Sequence, residues 1–67
     1  MRRTIIDAVR AHAQGNIAKA KANVEVYLKN PTGIGEHSDV VAAVHEQLDI
    51  MSTHHDRLEV LDQYFED

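Results

Sequence analysis

Five histidines fall within 67 residues, and three of them are spaced in a way chemistry could use. His54 and His55 sit among Met51, Leu58 and Leu61, inside what reads as the apolar arc of a helix. Imidazole titrates near neutral pH and is the commonest metal ligand. If the chain folds back on itself, His12 comes opposite this pair, and Glu59 stands one turn beyond His55. Imidazoles with a carboxylate are a donor set for a first-row divalent ion, zinc first of all. The set is incomplete as a motif. The residues three before His12, His45, His54 and His55 are Val9, Ala42, Met51 and Ser52. The Glu-x-x-His of carboxylate-bridged bundles is therefore missing, and so is His-Glu-x-x-His. The plainer role takes precedence: amphipathic side chains at the edge of a bundle. His12, His54, His55 and Glu59 stand as metal candidates, and no cofactor is expected.

Other constellations carry less. Gly33-Ile34-Gly35 lacks the Lys-[Ser/Thr] of a phosphate loop, no strand precedes it, and Glu36 and Asp39 follow. Ser38, Ser52 and the threonines have no concave scaffold to hold a nucleophile and its base. An enzyme is not expected. Arg3, Arg10 and Lys21 share one side of the first half of the chain and could contact nucleic acid phosphates. An acidic segment is expected beside them, and no aromatic residue stands among them to stack on bases. Charge pairing within the chain is thus preferred over nucleic-acid binding.

The elements that must position these residues follow from a division of charge. Residues 1–30 hold six Lys and Arg against two Asp and Glu; residues 31–67 hold one against nine. Between the halves lies Asn30-Pro31-Thr32-Gly33-Ile34-Gly35, a helix stop followed by turn residues. The pattern predicts an all-α chain: a single antiparallel two-helix hairpin, helix one over about 5–29, a turn over about 30–36 and helix two over about 37–65. Thr4, with Asp7 three residues on, is the candidate cap of the first helix, and Ser38 that of the second.

On helix one the apolar face reads Ile6, Val9, Ala13, Ile17, Ala20, Val24 and Leu28, an eleven-residue period that implies no left-handed supercoil. On helix two it reads Val40, Val41, Val44, Leu48, Met51, Leu58, Leu61 and Phe65, broadened by Ala43 and Ile50. Antiparallel pairing brings Lys29 towards Glu36 and Asp39, Lys19 and Lys21 towards Glu46 and Asp49, and Arg10 towards Glu59. Arg2 and Arg3 come towards Glu66 and Asp67. The same register sets Val24 by Val44, Ala20 by Leu48 and Ile17 by Met51. Asn16 and Asn23, seven apart at the edge of the face, are either solvated or register-fixing.

Two helices cannot enclose a core, and a chain this short buries too little apolar surface to be comfortably stable alone. With no cysteine, disulfides and thiolate metal sites are excluded. The wide apolar arc of helix two asks for a second neighbour, so a homodimeric four-helix bundle, or a larger assembly, is expected. Its seam is sought in the small-residue stripe Ala8, Ala11, Gly15, Ala18 and Ala22, together with Ile50 and Leu61. No apolar run approaches the ~20 residues of a membrane span. Asp7 breaks the only stretch that could start a signal peptide, so a cytoplasmic protein is expected.

Asn23-Val24-Glu25-Val26-Tyr27-Leu28 and Gly35-Glu36-His37-Ser38-Asp39 resemble segments of small uncharacterised helical proteins from marine T4-like phages and marine metagenomes. The resemblance implies a phage accessory factor in a bacterial host, with an unidentified phage or host protein as a possible partner, and implies no activity. In architecture the chain is similar to the Rop-type plasmid regulators, dimeric helical hairpins that bind paired RNA loops. Fold analogy does not transfer function. The expectation is a non-enzymatic interaction protein, with Rop-like RNA binding and histidine-mediated metal binding as its alternatives.

Overall fold

Alanine is abundant in the first thirty residues and proline absent, so nothing stops a helix once it starts. In the computed structural model, α1 spans Arg2–Lys29 and α2 spans Val40–Phe65. The structure describes residues 1–30 and 39–66. The expected turn, the Ser38 cap, the Gly33-Ile34-Gly35 stretch and the pairings of Glu36 and Asp67 lie outside the described residues.

Helix α1 starts earlier than about residue 5. Ile5 N–H donates to the carbonyl of Met1 at 3.1 Å, and no side chain caps this end. The Thr4–Asp7 capping box does not form: Thr4 is already inside the helix, and Asp7 accepts instead from Arg3 at 2.7 and 2.9 Å. At the other end Asn30 takes φ −143° and ψ 76°. That is outside the α region, which the residue before a proline avoids. Helix α2 is capped by Asp39, whose carboxylate accepts from Ala42 N–H at 3.0 Å. The cap is thus one residue beyond Ser38, and the helix begins at Val40 rather than near residue 37.

The helices run antiparallel. Arg2 donates to the Phe65 carbonyl at one end, and Asn23 donates to Gln47 at 3.0 Å further along. The seam repeats every seven residues. Ile6, Ala13 and Ala20 are the buried residues of α1, and they share hollows with Leu61, His54 and Gln47 of α2 in turn. Ala20 therefore faces Gln47, while Leu48 is exposed. Between these levels Arg10, Ile17, Val24 and Tyr27 are half-buried, whereas Val9 and Leu28 are exposed. This corrects the eleven-residue face. A helix that stays on one neighbour keeps to steps of three and four within a seven-residue repeat. Arg10 and Tyr27 occupy the steps that hydrophobicity assigns to Val9 and Leu28.

The expected seam residues do not share a surface. Ala8, Ala11, Gly15, Ala18 and Ala22 are exposed. Gly15 lies nine residues from Ile6, about 180° round the helix and so away from α2. Leu61 is buried inside the hairpin beside Ile6, and Ile50 is half-buried in the hollow that holds Asn23 and Gln47. Leu61 therefore belongs to the hairpin's own core and forms the floor of the hollow beside it.

Candidate functional site

The end of the hairpin where α1 begins and α2 stops is built on charge. α1 carries no acidic residue in its first turn and α2 no basic residue in its last. Each end thus lacks the charge its own dipole favours. The neighbour supplies it. Arg3 pairs with Glu66 at 2.9 Å as well as with Asp7, and Arg10 pairs with Asp62 at 2.8 Å and Glu66 at 3.2 Å. Hydrogen bonds to Asp7 and Glu66 raise the Arg3 guanidinium above its ordinary pKa, and Asp62 does the same for Arg10. Arg10 was expected beside Glu59. It reaches Asp62 and Glu66 instead, because Glu59 lies on the exposed side with His55. Lys19 and Lys21 form no ion pair with Glu46 or Asp49.

Of the three nucleic-acid candidates, Arg3 and Arg10 are thus held by carboxylates, and Lys21 alone stands exposed and unpaired among the described residues. They do not make a free basic strip.

The histidines divide between two sides of the hairpin. His12 and His54 meet across the seam, with ring centroids 5.8 Å apart and planes inclined at 66°. His54 keeps 9% of its surface exposed, and its Nδ1 has no hydrogen-bond partner. Ala13, opposite, offers it none. Burial pushes His54 below the ordinary imidazole pKa, and the charges of Arg57 and His12 push the same way. His12 is steadied by Asn16, whose amide donates to the His12 carbonyl at 2.9 Å. His55, about 100° round the helix from His54, instead stands 3.7 Å from Glu59 in the open. The expected donor set is therefore split. Among the described residues no group of three His, Asp or Glu side chains is placed to hold a metal ion. Arg57 lines the hollow of His12 and His54 and sets a cation beside the pair.

The second feature at this end is apolar. Met1, Ile5, Val9 and Phe65 are exposed around the buried Ile6 and Leu61, and they frame an apolar hollow of about 450 Å³ with Arg2 at its rim. Val9 also lines the adjoining hollow of His12, His54, Arg57 and Leu58. One continuous face thus runs from the chain termini to the histidines. The signal was present: Val9, left over from a seven-residue repeat that selects Arg10, has to point beside the seam rather than into it.

The fold and this face define a small antiparallel helical hairpin with an open apolar side. No described helix is long and apolar enough to cross a membrane. Compared with protein-family models, curated proteins and solved structures, the chain matches none.

Proposed function

We propose that the protein works without catalysis, as a self-associating helical hairpin that serves as an interaction or assembly module. The observation that supports this is the size of its core. Among the described residues the buried apolar side chains are Ile6, Ala13, Ala20 and Leu61, two of them alanines, while ten large hydrophobic residues stay exposed. Each large side chain that a neighbour covers contributes about 1.5–3 kcal/mol. An isolated hairpin forgoes that gain along its whole length. The least demanding neighbour is a second copy, which gives a dimeric four-helix bundle.

Light scattering after size exclusion at micromolar concentration tests the reading. The expected mass is twice the 7.5 kDa of the chain. A monomer that unfolds cooperatively would end it. RNA binding is the weaker reading, since Arg3 and Arg10 already have acidic partners.

A further inference from the structure

We infer that the apolar face formed by Met1, Ile5, Val9, Leu61 and Phe65 is where the second copy seats, the two hairpins lying antiparallel about a twofold axis beside Val9 and Leu61. The inference rests on the self-association proposed above and names its surface.

The area fits. The chain exposes 5088 Å², where a compact monomer of its mass exposes about 4,250 Å². The excess, roughly 840 Å², matches the ~800 Å² that each partner gives to a standard interface. Its source is the shape, 48 × 16 × 15 Å, a rod with no third side to cover its seam. Of the ten exposed large hydrophobics, Met1, Ile5, Val9, Val60, Tyr64 and Phe65 belong to the terminal end of the rod. Aromatic and methionine side chains are those that interfaces favour.

Charge chooses the occupant. A twofold contact must be complementary to itself. Arg57 and Phe65 lie four residues either side of Leu61, about 6 Å along the axis in each direction. A twofold axis at the level of Leu61 exchanges those two positions. Arg57 makes no ion pair among the described residues, and it borders this face beside Val9. The last turn of α2 has no basic residue and is followed by Glu66. Antiparallel seating therefore carries the Arg57 of each copy over the negative end of the other's α2. A parallel arrangement would set Arg57 against Arg57.

The chain has no cysteine, so single cysteines report the contact directly. Val9→Cys next to the axis is expected to form a disulfide-linked dimer under mild oxidation. Ala18→Cys and Leu48→Cys, on other sides of the rod, are expected not to. Ile5→Lys with Val9→Lys should weaken the dimer by about a hundredfold or more, as loss of central apolar anchors does. Arg57→Glu should weaken it more at low salt than at high salt. If the lysine variant fails to fold, the cysteine result decides by itself. A dimeric wild type together with cross-linking of the Leu48→Cys or Ala18→Cys variant, but not of Val9→Cys, overturns the surface and leaves self-association standing. A monomeric wild type overturns both.

Discussion

The rings of His54 and His12 meet across the seam with centroids 5.8 Å apart, and the Nδ1 of His54 is left without a partner. His54 gains nothing from a proton there. Burial, Arg57 and His12 all lower the pKa of His54, while in the unfolded chain it titrates near the ordinary ~6.5. The unfolded state therefore takes up the proton first as pH falls. Stability is full above about pH 6.5 and is lost as the pH drops through the lowered value in the fold. Thermal melts between pH 8 and pH 5 should show Tm falling on the acid side. His54→Leu should flatten that limb and raise Tm at neutral pH, since it removes an unsatisfied buried nitrogen at similar volume. An unchanged acid limb in His54→Leu would assign the effect to another group.

Glu66 joins Arg3 and Arg10, so one carboxylate ties both guanidinium groups to α2. Glu66→Gln should lower Tm slightly and reduce its dependence on salt between low and moderate ionic strength, because partly exposed pairs are screened. Glu59→Gln, whose carboxylate faces His55 in the open, should change neither. Equal effects of the two variants would mean that only net charge matters.

Two helices, their antiparallel sense and the approximate register were legible because charge and hydrophobicity both pointed to one pairing. The finer register was not. Reading by hydrophobicity selects Val9, but Arg10 occupies the seam step because Asp62 and Glu66 receive its head group. Long side chains can bury their stems and keep the charge paired or wet. Burial of His54 was hidden for a related reason. A buried polar residue opposite an alanine has no signature in one chain, only in the level that Ala13 and His54 share. Leu61 reads from the sequence only as one member of the wide apolar arc of α2, and a wide arc does not say which of its residues the nearer helix takes.

Asp39 shows how local chemistry sets an element's start. Its carboxylate accepts from Ala42 N–H, one of the orphan donors at a helix N-terminus. Asp39→Ala should cost about 1 kcal/mol by denaturant unfolding, the usual value of such a cap. Asp39→Asn should cost little, since its amide oxygen can accept the same bond. A loss equal in both would mean that charge at the dipole, rather than the hydrogen bond, matters.

The alanines of α1 fall into two sets that should respond oppositely. Ala13 and Ala20 keep 2% exposure, pressed against the levels of His54 and Gln47. Enlarging either to leucine forces the helices apart and should cost about 1–3 kcal/mol. Ala11 and Ala18 are exposed, and a Cβ built on Gly15 between them meets nothing within 4 Å. Gly15→Ala should therefore stabilise the protein by about 0.5–1 kcal/mol, by removing the conformational freedom of a mid-helix glycine. Ala11→Leu with Ala18→Leu should leave both fold and assembly unchanged. The comparison also decides between surfaces. If the small-residue stripe is where two copies meet, Gly15→Ala destabilises the dimer and the leucine pair abolishes it. Chemical denaturation of each variant at two protein concentrations separates the cases, because a dimer's midpoint rises with concentration and a variant that abolishes the subunit contact loses that dependence.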